Sequence, residues 1–433
     1  MKQVAQRIFR ETLAAIDIHS ALARKLARDG SRIRAIHSTI DLKNYSNIVA
    51  IAYGKASVAM AEGLSEILAP DFRAEGILVA PSPPASEFRG WNTFAGGHPV
   101  PNAASFAAGR AILDQLARCD ERTLIIFLLS GGGSSLVELP LDPAMTLEDF
   151  QALHAALVTC GAPIEEINAV RKHLSATKGG RLAAAAPRST KLTFGISDVP
   201  IGEESALASG PTLPDPTTIG DAMRVISEYG LLPKLPPSLR AAFETRWLKE
   251  TPKDGDPSFS RAHFELLLGT HELTHAAHHA CEAAGYVCLC DNSTDNWPIE
   301  KAANHLLALL DAQRVANPGR RVAVLATGEV NSPVKGSGIG GRNSAFVLAC
   351  VGKIAGKKIT VLSAGTDGID GNSAAAGASA DGESLSRARA AQLEPGNFQS
   401  RSDAYSFFAQ LGDAIVTGPT GNNLRDLRIF LAD

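Results

Sequence analysis

The stretch TLIIFLLSGGGSS (Thr123–Ser135) decides the fold. Thr123–Leu129 is uncharged, shorter than an ordinary helix, and suited to a strand buried on both faces. Ser130, Gly131, Gly132, Gly133, Ser134 and Ser135 follow at once. Such a loop leaves successive backbone N–H groups uncovered, so it can wrap a phosphate or a carboxylate, with Ser134 and Ser135 adding hydroxyl donors. A structural turn that needs glycine for its backbone angles is the plainer reading, but a turn alone does not need three glycines and two serines.

The same order of strand, glycine-bearing turn and helix recurs on both sides of this stretch. NIVAIAY (Asn47–Tyr53) enters Gly54-Lys55-Ala56-Ser57 and a helical run to about Leu68. Gly76–Ala80 and Lys191–Ser197 read as further strands; Asn102–Cys119, Leu147–Thr159 and Ile164–Leu174 read as helices. Strands alternating with helices predict a parallel sheet covered on both faces. Between about 230 and 260 the texture changes to LLPKLPPSLR and KETPKDGDPS, which predicts an inter-domain connection. A second α/β series begins at Phe264–Gly269 and continues through Tyr286–Cys290, Val322–Thr327 and Ile359–Ser363. The expected division is therefore residues 1–240 and residues 260–433.

A chain of 433 residues with 45% apolar and 20% charged residues is long enough for two ordinary cores. A net charge of −3 supplies no overall basic field for nucleic acid or an anionic membrane, so an anionic ligand must be held by local cations and N–H groups. The opening segment has helical amphipathic spacing rather than a signal peptide's apolar run, and no segment approaches the roughly 18 apolar residues of a membrane helix. Six cysteines lack zinc or disulfide-framework spacing, which suits reduced thiols. These features predict a soluble cytoplasmic protein.

Lys55 stands at the mouth of a predicted helix, where a cation opposes the helix dipole unless an anion compensates it. The Walker A reading fails, because the earlier glycine of that motif would fall at Val49. Gly336-x-Gly338-x-x-Gly341 matches the dinucleotide fingerprint as a string, yet Glu329–Lys335 separates it from the preceding strand. A phosphate-contacting loop ending in Arg342 suits it better, since arginine can grip an anion bidentately. His271-Glu272-Leu273-Thr274-His275 matches H-E-x-x-H, but it follows a buried strand directly and reads as a polar helix start. Asp198, Glu329, Asp367 and Asp370 follow predicted strands and are candidate hard ligands for Mg²⁺ or helix caps. Arg171, Lys172, Lys178 and Arg181 lie on or beside one helical stretch, with one or two expected in a cleft and the rest solvated.

Taken together, AYGKAS (52–57), GGHPVPN (96–102), LSGGGSSL (129–136), INAVRKHLSATKGGRLA (167–183), SDVPIGEESALASGPT (197–212), TGEV…GGRNSAF (327–346), SAGTDGIDG (363–371) and TGPTGNNLRDL (417–427) resemble the class II glycerate kinases. These are also known as glycerate 2-kinases or the MOFRL family, and some bear the name hydroxypyruvate reductase. The resemblance runs through most of the chain. It implies a Rossmann-like α/β/α N-terminal domain with a mostly parallel sheet, a smaller C-terminal α/β domain, and an active site in the cleft between them. It further implies transfer of a phosphoryl group from ATP, with Mg²⁺, to D-glycerate, giving the 2-phosphate. Carried onto this sequence, the catalytic set is Lys55, Asp198 (also the tentative Mg²⁺ ligand) and Arg342. The loop Ser130–Ser135 with Glu329 and Asp367 would bind substrate and phosphate. The competing readings are a hydroxypyruvate reductase using NAD(P)H and a non-catalytic sugar-phosphate binder. A homodimer is compatible with the sequence, which does not fix the oligomeric state.

Overall fold

The computed structural model describes residues 1–35, 38–84, 87–197, 199, 204–245, 247–422 and 424–433. They form two compact units, one of Ile18–Leu267 and one of Met1–Asp17 with Leu268–Asp433.

The unit of Ile18–Leu267 opens with a small antiparallel sheet of β1 (Leu26–Asp29), β2 (Arg32–Ala35) and β3 (Ser38–Asp41). Its main sheet contains β4 (Asn47–Tyr53), β5 (Glu75–Ala80), β6 (Trp91–Ala95), β7 (Thr123–Ser130), β8 (Thr190–Ile196) and β9 (Ala262–Leu268), in the order β6-β5-β4-β7-β8-β9. The β4–β5, β5–β6, β4–β7 and β7–β8 pairs are parallel. Counted along the chain this is the doubly wound order 3-2-1-4-5-6, and the strand order reverses between β4 and β7. Tyr53 pairs with Leu129, so the two strands end level with one another. Every residue of β7 and β8 is buried, which is why both read as unbroken apolar runs rather than alternating patterns.

The helix Ser57–Leu68 covers β4, β5 and β7, while Ala103–Leu116 covers β5 and β6. Asn102 starts the second of these helices by accepting from the Ser105 N–H at 2.9 Å, satisfying a donor that the helix itself leaves open. A separate helical layer, Leu147–Thr159, Ile164–Leu174, Ile219–Glu228 and Pro237–Glu244, closes on Phe150, Leu157, Val170, Val225, Leu239 and Phe243.

Three placements differ from the expectations drawn above. The stretch expected to connect domains is built into this helical layer: Leu231, Leu235, Leu239, Ala242, Phe243 and Leu248 are buried in its core. From Leu231 to Phe243 the spacing of three and four residues is helical, and the prolines obscure it by standing at the starts of turns, where a missing N–H is harmless. The strand expected to open the second series is β9, the edge of the first sheet beside β8. The helix Lys2–Ala15 belongs with the other unit, where its buried face of Ala5, Ile8, Phe9 and Thr12 is covered.

The second unit holds β10 (Val287–Cys290), β11 (Val322–Thr327), β12 (Ile359–Gly365), β13 (Gly377–Asp381), β14 (Ala414–Ile415) and β15 (Asp426–Ala432), in the order β10-β11-β15-β12-β13-β14. Only the β10–β11 pair is parallel. Because β15 runs antiparallel between β11 and β12, its first residues lie at the carboxyl ends of both neighbours: Leu427 pairs with Thr327 and Asp426 with Gly365. No helix among the described residues is long and apolar enough to cross a membrane.

Candidate functional site

Open parallel sheets bind ligands outside the carboxyl ends of their strands where the strand order reverses. In the unit of Ile18–Leu267 that place is the gap between β4 and β7, and two of the segments singled out in the sequence meet there. Gly54 allows the meeting. It adopts φ +127°, and a β-carbon on it would stand 2.1 Å from Ser130 Oγ and 2.6 Å from the Ser130 carbonyl oxygen. The Lys55 N–H donates to the Gly131 carbonyl at 3.0 Å, and the Ala56 N–H donates to Ser130 Oγ at 3.0 Å. Ser130 therefore ties the two loops together from a buried position.

Gly132 adopts φ +82°, a left-handed conformation that suits glycine, and it faces both the aliphatic stem of Lys55 and the ring of His98. Lys55 itself is exposed, and among the described residues its side chain makes no hydrogen bond or ion pair. The N–H groups of Gly132, Gly133 and Ser134 likewise take no protein acceptor among the described residues. A lone cation beside open N–H donors is the electrostatic signature of an anion-binding loop.

Neighbouring hydroxyls are held in place. Ser135 Oγ lies 3.1 Å from His98 Nδ1, and Ser134 Oγ lies 2.6 Å from Ser209 Oγ, whose hydroxyl donates to Asn168 Oδ1 at 3.2 Å. Ser209 reaches this position from a left-handed backbone, φ +61°, next to Ala208 at φ +50°. Two consecutive non-glycine residues in that region are strained, and such strain persists only where the surroundings impose it. Partial burial and the positive charge of Lys55 lower the pKa of His98, favouring the neutral ring.

A small cavity opens beside the loop, lined by Pro101, Ser134, Ser135, Glu138, His154 and Arg171 together with Phe150 and Leu153. Of the four basic residues expected on one stretch, Arg171 is the one that reaches it. Lys172 is buried in an ion pair with Asp215 at 3.0 Å, and Lys178 is buried in one with Glu138 at 2.7 Å. Arg181 donates to the Lys249 carbonyl at 2.9 Å. The expectation that the remainder are solvated is thus corrected: these side chains reach tertiary acceptors that lie tens of residues away in the sequence.

In the second unit the predicted residues also gather at strand ends. Arg342 starts the helix Arg342–Val351, donates from Nε to Asp426 Oδ2 at 2.5 Å, and lies 2.8 Å from Glu329 Oε1 through Nη2. Asp367 Oδ1 and Asp426 Oδ1 flank Gly365, at 2.9 and 3.4 Å from where a β-carbon there would stand. Asp370 caps the helix: its carboxylate accepts from the Asn343 and Ser344 N–H groups, both at 2.9 Å, and from the Ser344 hydroxyl at 2.6 Å. Gly338 donates to the Arg401 carbonyl and Gly340 to Asn372 Oδ1. The G-x-G-x-x-G string thus leads to a helix whose Asn343 and Ser344 N–H groups already face a carboxylate, where a dinucleotide pyrophosphate would otherwise lie. Glu272 similarly acts as a cap by accepting from the Gly269 N–H at 2.8 Å, as expected of a helix start. Among the described residues, no three His, Cys, Asp or Glu side chains converge on a metal position. Asp198 lies outside the described residues.

His98, His154, Ser209 and the Arg171–His154 contact were not singled out as site residues from the sequence. His98 had a visible signal in GGHPVPN and Ser209 in SDVPIGEESALASGPT; His154 joins them only through the fold.

The first unit is a doubly wound α/β structure with Lys55 and the Ser130–Ser135 loop at its switch point. Comparison with known proteins then gives the family. Residues 4–244 match the model of a domain of unknown function (DUF4147), and residues 322–426 match the MOFRL family. A D-glycerate 2-kinase of Thermotoga maritima is 33% identical over 401 residues, covering 92% of this chain and 94% of its own. A protein of Agrobacterium vitis named "Putative hydroxypyruvate reductase" is 35% identical over 435 residues, 99% of this chain and 94% of its own. A crystal structure of a glycerate kinase from Thermotoga maritima superposes with a TM-score of 0.86 at 30% identity, covering 100% of this chain and 99% of that one. The chain belongs to the DUF4147–MOFRL family, that of the class II glycerate kinases.

Proposed function

We propose that this protein phosphorylates D-glycerate with ATP, giving 2-phospho-D-glycerate. The observation that carries this reading is the pairing of Lys55 with the Ser130–Ser135 loop at the switch point, in a chain similar along nearly its whole length to a D-glycerate 2-kinase. Phosphoryl transfer asks a protein mainly to position its reactants and neutralise charge. Lys55 and the open N–H groups of Gly132, Gly133 and Ser134 suit the charge of a phosphoryl group. On residue chemistry, Asp198 would orient the attacking hydroxyl or hold Mg²⁺.

Mg²⁺ is bound characteristically by one or two carboxylates together with phosphate oxygens and water. The dispersed carboxylates here suit an ion that arrives with the nucleotide, and when bound it would neutralise phosphate charge. The reductase reading loses its structural basis at the Gly336–Gly341 segment, where Asp370 holds the helix start.

The test is an assay of the purified protein with D-glycerate and Mg·ATP. Glycerate-dependent ADP release is expected, with a product that enolase consumes directly, as it does 2-phosphoglycerate and not the 3-phosphate. Oxidation of NADH by hydroxypyruvate without any ADP formation would reverse the assignment.

A further inference from the structure

The cavity beside the glycine loop contains a positive charge that its own walls do not neutralise. Its acidic group is Glu138, which is 4% exposed. Glu138 Oε2 accepts from Lys178 at 2.7 Å, while Oε1 accepts from the Leu139 N–H at 3.0 Å and from the Ser175 hydroxyl. The Glu138 carboxylate favours the charged forms of both Lys178 and Arg171, so the three groups carry one net positive charge. Burial first, then the charge of Arg171, pulls the His154 pKa down to about 4, so its ring is neutral near pH 7. Arg171 Nη2 lies 2.5 Å from His154 Nδ1, its one side-chain hydrogen bond among the described residues. The guanidinium thus bonds only a neutral acceptor among those residues, and Arg171 lines the cavity together with Ser134 and Ser135.

From this charge balance and geometry we infer that Arg171, oriented by His154, is the seat of the substrate's carboxylate, in a wall that it shares with Ser134 and Ser135. The inference rests on the kinase reading for the identity of the acid, and it assigns a subsite that selects an anionic three-carbon acid over a neutral polyol. Two features favour a carboxylate over a nucleotide phosphate. The cavity measures about 20 Å³, close to the space of a single water by the same measure, which admits one edge of a planar group but not a polyphosphate. With one Nη2 hydrogen on His154, the second Nη2 hydrogen and the N–H parallel to it, on Nε or Nη1, still form a fork that matches the two oxygens of a carboxylate. A carboxylate seated here would place the rest of a short hydroxy acid beside the loop that Lys55 flanks.

The test separates binding from chemistry. D-Glycerate alone should raise the melting temperature of the unmodified protein, whereas glycerol at equal concentration should not. Arg171→Gln should abolish that rise and increase KM for glycerate roughly 10- to 100-fold, as expected for loss of a charge-assisted contact, with KM for ATP unchanged. If Arg171→Gln does not fold, Arg171→Lys serves in its place, with KM for glycerate rising about two- to tenfold because the charge stays and the planar fork is lost. An unmodified protein that binds glycerate yet releases no ADP would defeat the kinase reading and leave the seat standing. Unchanged KM for glycerate in the folded Arg171→Gln variant, or in Arg171→Lys where that variant is used, overturns the seat while the kinase reading survives. So does an unmodified protein that makes ADP with glycerol as readily as with glycerate.

Discussion

Both units carry clusters of basic residues at the ends of buried strands, yet the two sets of cations are treated in opposite ways. In the unit of Ile18–Leu267, Lys55 has no carboxylate partner among the described residues, and Arg171 faces a neutral imidazole. In the other unit, Arg342 is held by Asp426 and Glu329, and Arg425 by Asp295 at 2.8 Å. Arg428 is fully buried and donates to the Thr327 and Gly328 carbonyls, both at 3.0 Å. The cause is topological. An antiparallel β15 brings Asp426 and Arg428 to the same sheet end as the loops after β11 and β12, so countercharges arrive with the strand itself. Between β4 and β7, both parallel, that end holds only loops and helix starts. The number of cations is thus a poor guide to an anion site, and the useful measure is how many lack a partner.

The contrast makes its largest prediction at Lys55. Lys55→Ala should lower kcat/KM by about a hundred- to a thousandfold, the scale of losing one electrostatic contact to a transition state, with the melting temperature unchanged. Near-native turnover would mean that an unpartnered cation at the switch point is only a solvated side chain.

A smaller effect of the opposite kind is expected at Arg342. Lysine cannot span both Asp426 oxygens and Glu329, so Arg342→Lys should lower stability by about 1 kcal/mol, allowing for solvent screening of a partly exposed pair. Melting should fall by roughly 2–4 °C, and activity should suffer less than in Lys55→Ala. If activity instead collapsed to the Lys55→Ala level at an unchanged melting temperature, Arg342 would join the ligand-binding cations and the contrast would break.

The smallest effect is expected on the helix Thr270–Ala283. His271, His275 and His279 form an exposed row with neighbouring ring centroids 5.2 and 5.1 Å apart. His271→Ala and His275→Ala should leave kcat/KM unchanged and stability within about 0.5 kcal/mol, as is usual for surface positions. Glu272→Ala should cost more than either histidine change, because it removes a capping-box contact, but less than Arg342→Lys. Stoichiometric zinc in the purified protein, lost in either histidine variant, would restore the metal reading of this string.

Much of the fold was legible in the sequence where one local signal decided it. Thr123–Leu129 and Asn47–Tyr53 are apolar runs stopped by glycine, and Leu147–Thr159 begins at a Thr146–Asp149 capping box. The elements that escaped have their character set by distant neighbours. DLRIFLA is a fully buried strand containing Asp426 and Arg428, tolerated because each finds partners across the sheet end. Leu231–Leu248 resembled a linker because its prolines outweighed an apolar spacing that only the packed helices reveal. The apolar run of β9 announced a strand, but nothing local could say which sheet it would join. The site divides along the same line. The Ser130–Ser135 loop and Lys55 announce themselves by type and spacing, whereas Arg171 became notable only once Lys172 and Lys178 had been matched to Asp215 and Glu138.

The position of β15 has a consequence for how its unit folds. It follows the other strands of that unit in sequence, yet it lies in the interior of the sheet, between β11 and β12. The helix Lys2–Ala15 packs on the same unit, against β12, β13 and β15. Two segments about 400 residues apart in sequence must therefore find one another, a long-range closure of the kind that slows folding. Until β15 docks, β11 and β12 each present an unpaired, apolar edge, open to adventitious strand addition.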